Sequence, residues 1–259
     1  MSSAAKARDE LLRAVRELMA GTLSAADLTL QLDAALSGLN LYPPEAVLDM
    51  GHAAGQIIER QPELAVNAIL QLMSSDSRET RAVACAVISR LARYSPAVWA
   101  SMVRHFATDA DWEVRSFAAR AYDSREGYSG AVEFHTEWVF EELAAWVKEN
   151  HYLLRHAAAE ALLGYVQMQP DVIPRVLKLL DPLLSDSAEY VRRGHVMALR
   201  TMGRKQAPVV LDYIETHLSS VSDEARESIE LVLEDSFAAR NPERKNQLLG
   251  RLNAEQSQK

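Results

Sequence analysis

Cysteine occurs once in the 259 residues, as Cys85. A lone thiol excludes a disulfide within the chain, which suits a reducing compartment. Its setting, "AVACAVISRL", predicts a buried small hydrophobe. Glycine (10) and proline (9) are scarce, so little interrupts a helix. No run of 18 apolar residues is present, and no membrane span is expected. The opening "MSSAAKARDELLRAV" has charges every few residues instead of an apolar core, unlike a signal peptide. A cytoplasmic protein is expected. The chain also lacks HExxH, a Cys/His cluster, GxGxxG, GxxxxGK[ST] and GxSxG. Those absences argue against a metal site, a nucleotide cofactor and a hydrolase nucleophile. His151 and His156, five residues apart, are poorly spaced for two ligands on one helical turn. No metal and no cofactor are expected.

Basic residues number 28 against 36 acidic, a net charge of −8. The deficit is uneven. Residues 1–72 carry 5 basic and 9 acidic side chains, residues 73–221 carry 17 and 19, and residues 222–259 carry 6 and 8. The middle is near neutral and arginine-rich, which leaves room for a local basic face there.

What the sequence does contain is a repeat. "SDSRETRAVACAVISRL" at Arg81, "DADWEVRSFAARAY" at Arg115, "ENHYLLRHAAAEALLGY" at Arg155, "DSAEYVRRGHVMALRTMG" at Arg192 and "SDEARESIELVLEDSF" at Arg226 align on one arginine, with spacings of 34, 40, 37 and 34. An Asp- or Asn-bearing turn precedes each arginine, and small apolar residues at helical spacing follow it. A second apolar helix then comes, often opened by proline, as in "SPAVWASMVRHF" and "APVVLDYIETHL". Two helices per period of 34–40 residues is the mark of an α-solenoid. One pair cannot bury its own apolar stripe, whereas stacked pairs bury a continuous core. Proline suits the first helical position, whose N–H has no helical partner, and Asp, Ser and Asn cap the N-termini.

The Asp turn, Val-Arg and small-residue helix resemble the HEAT repeat. The resemblance implies an all-α fold, an α-α superhelix of stacked HEAT-like repeats with a right-handed turn, built from about 13–14 helices. One solenoid domain over residues 1–259 is expected. Residues 1–72 would be degenerate repeats and a cap, 73–238 the HEAT-like repeats, and 239–259 a capping helix and tail. The longest break, Tyr122–Gly130, inserts about six residues and accounts for the spacing of 40. The same resemblance implies that Arg81, Arg115 and Arg155 form a ladder of hydrogen bonds between neighbouring repeats.

Several side chains stand out beyond the scaffold. Trp112 and Tyr152 lie three residues before their arginines, with Tyr190 one step off, so an aromatic row is open to a ligand or peptide. Adjacent residues on a helix face different ways, so Arg193 faces solvent beside Arg192, while Val191 and Leu199 share a buried face. Trp112, Arg115, Tyr152, Arg155, Tyr190, Arg192 and Arg193 are therefore the candidate partner-binding residues. Trp138 and Glu142, in "TEWVFEELAAWV", are four apart on one helix face. They are similar to the Trp and acidic pair of the HEAT-like DNA alkylation-repair glycosylases, whose aromatic face stacks on the modified nucleotide while the acid stabilises the cationic sugar. "DADWEVRSFAARAY" and "YVRRGHVMALRTMGRKQAPVVL" also resemble repeats of that superfamily.

Two functions follow. The expected one is a non-enzymatic scaffold that binds a protein or peptide on its concave face, with no catalytic residue. The alternative is a DNA-binding or base-releasing member of the glycosylase superfamily, with Trp138 and Glu142 at its centre. The net charge of −8 weighs against nucleic acid as the partner.

Overall fold

The structure is a computed structural model that describes residues 3–42, 44–125 and 128–256. Among these residues all regular structure is helical, with no strand. A single antiparallel bridge joins Arg125 and Tyr128. No helix among the described residues is long and apolar enough to cross a membrane. The described residues fall into two compact units, one drawn from residues 1–123 and 129–139 and the other from residues 124–128 and 140–259.

The first unit holds α1 (Ser3–Met19), α2 (Ala25–Leu36), α3 (Glu45–Ile58), α4 (Pro62–Met73), α5 (Arg78–Ala92), α6 (Pro96–Ala107), α7 (Trp112–Ala119) and α8 (Ala131–Phe134). It also holds the start of α9 (Thr136–Trp146). Its centre is α5, where small residues let neighbouring backbones close in. Ala82, Val83, Ala84, Cys85, Ala86, Val87 and Ile88 are all buried there. Burial pushes the Cys85 thiol well above the usual range. Ser24, Ser77 and Asp111 cap α2, α5 and α7 by accepting the N–H of Asp27, Thr80 and Glu113. Pro62 and Pro96 open α4 and α6.

The second unit holds the rest of α9, then α10 (Tyr152–Glu160), α11 (Leu163–Met168), α12 (Ile173–Leu180), α13 (Glu189–Lys205), α14 (Ala207–His217), α15 (Asp223–Leu233), α16 (Ser236–Ala239) and α17 (Pro242–Gln256). Three short 3-10 turns flank α12 and follow α14. Its central helix is α13, which packs on α10, α14 and α15. Val191 and Leu199 are fully buried, whereas the Arg193 side chain is 74% exposed.

Seventeen α-helices are present among the described residues, more than the 13–14 expected. Part of the excess is α8 and α16, four-residue turns too short to show helical periodicity.

The aligned arginines share one geometry. Arg81 donates from Nη1 to the carbonyls of Ser75 (2.8 Å) and Asp76 (3.1 Å), and from Nε and Nη2 to Asp109 of the next repeat (2.7 and 3.1 Å). Arg115 donates to the Asp109 and Ala110 carbonyls at 2.7 and 2.8 Å. Arg155 reaches Asp186 in the same way. Arg192 binds the carbonyls of Asp186 and Ser187, and its onward partner is Glu227 (3.2 Å), not an aspartate. Arg226 closes the column on the Leu252 carbonyl of α17 (2.6 Å). Arg81, Arg155 and Arg192 thus each tie their own turn to the following repeat.

Candidate functional site

Helix α9 carries both residues of the Trp–acid pair, one turn apart. The boundary between the compact units falls between Val139 and Phe140, so Trp138 belongs to the first unit and Glu142 to the second. Trp138 is half-buried. Its ring meets the fully buried Tyr122 ring edge-on, with centroids 5.5 Å apart and planes at 82°. Val132 N–H donates to the Tyr122 carbonyl (3.0 Å), and Thr136 Oγ1 donates to the Val132 carbonyl (2.7 Å). These bonds fix the entry to α9 and hold the tryptophan against its support.

In the second unit Glu142 is half-buried and accepts the indole N–H of fully buried Trp146 at 2.8 Å. A buried indole N–H needs an acceptor, and here it also restrains the carboxylate. The neighbouring Phe140 ring lies under the Arg175 guanidinium, 3.8 Å from its centroid.

The aromatic residues singled out by repeat position separate into two sets. Trp112, 54% exposed, tilts against Tyr42 at 5.8 Å in the first unit. Arg78 beside it pairs with Glu113 and lies 3.7 Å from Asp111. In the second unit Tyr152 and Tyr190 do meet, edge to face at 6.1 Å. They remain 46% and 39% exposed. His156 stacks on Tyr190 at 4.0 Å with planes 15° apart, and His151 stacks on Tyr152 at 5.8 Å. Tyr42, His151 and His156 had not been singled out for this role. His156 was within reach, since it lies one turn after Tyr152 on the same face of α10.

The charge of the second unit is patterned as well. Helix α13 carries five basic residues, Arg192, Arg193, Arg200, Arg204 and Lys205, against one acid, Glu189. Arg192 is held inside the ladder and Arg155 is engaged likewise. Among the described residues Arg193 pairs along its own helix, with Glu189 at 2.5 Å. Arg204 bonds to Asp235 at 2.6 Å. That hydrogen bond, opposed by burial and aided by the N–H of Phe237, holds the Asp235 carboxyl down at about 2.

Comparison with known proteins adds three findings. A family model described as DNA alkylation repair enzyme matches residues 52–231. Two solved structures, the smu.31 protein of Streptococcus mutans UA159 and AlkD2 of Streptococcus mutans, superpose with TM-scores of 0.63 and 0.65. Each is 19% identical and covers 82% of this chain and 98% of its own. No curated protein matches. The structural likeness fixes the helical-repeat fold. The family match overturns the expected non-enzymatic scaffold, which rested on missing catalytic motifs and on acidic net charge. Neither of those reports how charge is distributed over a surface.

Proposed function

The chain belongs to the DNA alkylation repair enzyme family, and from that membership we propose that it acts on alkylated DNA and releases the modified base. In this reading Glu142 is the anion at the reacting centre and Trp138 the stacking face. Alkylation of a purine ring nitrogen makes the base cationic and a good leaving group. As the C1′–N bond breaks, its electron pair goes to the base and positive charge develops on the deoxyribose, as in glycoside hydrolysis. A carboxylate preorganised beside that charge lowers the barrier. Water then attacks C1′ and loses a proton, leaving an abasic sugar.

The family match over residues 52–231 carries the reading, because it spans the whole of α9. Two local features support it. Tyr122 backs the Trp138 ring, so little side-chain freedom is lost on stacking. The Trp146 N–H holds Glu142 in one orientation, so the anion needs little reorganisation. The test is release of free base from duplex DNA methylated on purine nitrogens, at about 50 mM salt and at rising salt. Release above the spontaneous rate, falling steeply with salt, is the expected result. Release no faster than in protein-free DNA would overturn the proposal.

A further inference from the structure

Helix α13 presents a continuous stripe. Arg193, Met197, Arg200 and Arg204 recur at spacings of four, three and four, so they share one face. Arg193, Met197 and Arg204 are exposed and Arg200 is half-exposed. At 1.5 Å per residue the stripe runs ~16 Å along the helix. Tyr190 continues it at the N-terminal end, three residues before Arg193. There the rings of Tyr152, Tyr190 and His156 gather, with Tyr190 flat on His156 at 4.0 Å. Gly194 makes the approach feasible, since a Cβ at that position would lie 2.8 Å from His156 Cδ2.

We propose that this ring cluster and the cationic face of α13 form a track for DNA with unpaired bases, the rings stacking on bases and the guanidinium groups taking phosphates. The inference rests on the reading of the ligand as DNA and adds which form of DNA this face accepts. Exposed rings backed by other rings suit the flat face of a base, and stacking of this kind tolerates any sequence. A closed duplex shows only base edges in its grooves, so the cluster favours strands with free base faces. Helix α13 sets five basic residues against one acid; Arg192 and Arg204 are paired with Glu227 and Asp235, and Arg200 donates to the Leu231 carbonyl, so Arg193, Arg200 and Lys205 are the cations this helix offers a phosphate backbone. Arg193, 74% exposed, is tied among the described residues to Glu189, itself 58% exposed, and such a surface pair opens at little cost. A phosphate can therefore replace the glutamate.

The experiment is fluorescence anisotropy with unmodified, labelled oligothymidylate and a blunt duplex of the same length, at about 50 mM salt. The single strand should bind at least tenfold more tightly than the duplex. Tyr152→Leu and Tyr190→Leu should each weaken that binding by about tenfold, within the range for loss of one base–aromatic stack. Tyr152→Phe and Tyr190→Phe should stay within about twofold of wild type. Arg193→Gln should lower the slope of log affinity against log salt by about 0.7. A Leu variant that fails to fold is replaced by a photocrosslink from 5-iodo-deoxyuridine DNA to the wild-type protein, which should map to Tyr152 or Tyr190. No single-strand binding, Leu variants equal to wild type, or crosslinks confined elsewhere would overturn the inference. Base release from methylated duplex without single-strand binding would sink this proposal alone. Ring-dependent single-strand binding without base release would sink the repair reading and leave the track standing.

Discussion

Arg155 grips Asp186 with two donors at once, Nε at 2.6 Å and Nη2 at 2.9 Å, while its Nη1 holds the carbonyls of Glu149 and Asn150 at 2.8 and 3.0 Å. One guanidinium thus joins its own turn to an aspartate 31 residues further along the chain. Burial works against ionising Asp186, but the Arg155 hydrogen bonds and the Ala188 N–H outweigh it and hold the carboxyl below its ordinary value. Its contribution is present above the unfolded carboxyl value, roughly pH 4, and is lost as pH falls through the lower folded one. Lysine cannot copy this arrangement, because a single ammonium cannot meet a carboxylate with two donors and cap two carbonyls as well. Arg155→Lys should destabilise by about 2 kcal/mol, the scale of leaving buried polar groups short of partners. Urea denaturation at pH 7 checks it, and a midpoint equal to wild type would contradict the ladder's energetic role.

Two helical glycines should respond oppositely to the same substitution. A Cβ at Gly51 would lie 2.3 Å from Ala86 Cβ and 2.5 Å from the Ala86 backbone carbon, whereas nothing lies within 4 Å at Gly250. Helix propensity alone favours alanine at both by about 1 kcal/mol. At Gly250, on α17, that term acts unopposed, and Gly250→Ala should stabilise by about 0.5–1 kcal/mol. At Gly51 the obstacle is largely backbone, which cannot swing aside, and overpacking costs about 1–3 kcal/mol or more. Gly51→Ala should therefore lower the melting temperature while Gly250→Ala raises it. The same sign for both would contradict the close α3–α5 contact.

How much of this was legible in the sequence depended on range. The arginine column could be read because every repeat restates it locally, with Asp or Asn before and small residues after. The buried side of α13 followed from spacing, as Val191, Leu199 and Arg193 illustrate. Ring partners did not follow. Tyr42 meets Trp112, 70 residues further on, and His156 meets Tyr190, 34 residues further on. No periodicity links such residues. Net charge also misled. The total of −8 conceals a helix with five basic residues and one acid, because a sum over the chain discards position. The Trp138–Glu142 pair was visible as an i, i+4 spacing, but the supports from Tyr122 and Trp146 needed coordinates.

His195 supplies a pH test. It is completely buried on α13, and among the described residues neither ring nitrogen meets a hydrogen-bond partner. Burial pushes it down to about 4, with nearby Asp181 opposing and His217 adding to the effect. The unfolded ring takes a proton near pH 6.5 and the folded one only near 4. As pH drops from 6.5 toward 4 the unfolded state binds more protons, so stability falls across that window and levels off below it. Between pH 7 and pH 5 the loss should be on the order of 2 kcal/mol. His195→Leu keeps an apolar volume without an unpaired nitrogen, so it should flatten this part of the profile and cost little at pH 7. Urea midpoints of both proteins at pH 7, 6 and 5 decide it. Parallel profiles would show that His195 is not the titrating group.

Glu142 is the residue on which the proposed chemistry turns, and the choice of substitution matters. The indole N–H of fully buried Trp146 donates to its carboxylate at 2.8 Å. Glu142→Ala would remove that acceptor and cost about 1–3 kcal/mol through the stranded donor. Lost activity would then be confounded with lost stability. Glu142→Gln keeps an amide oxygen for the indole and removes only the charge. If the anion stabilises positive charge on the sugar during base release, Glu142→Gln should slow release by about 100-fold, the scale of losing one preorganised electrostatic group. Its melting temperature should stay within about 2 °C of wild type, since the buried hydrogen bond survives. DNA affinity should be nearly unchanged, because the interaction develops only as the C1′–N bond breaks. Single-turnover base release, paired with anisotropy on the same methylated duplex, separates the two quantities. Unimpaired release by Glu142→Gln would exclude Glu142 as the stabilising anion.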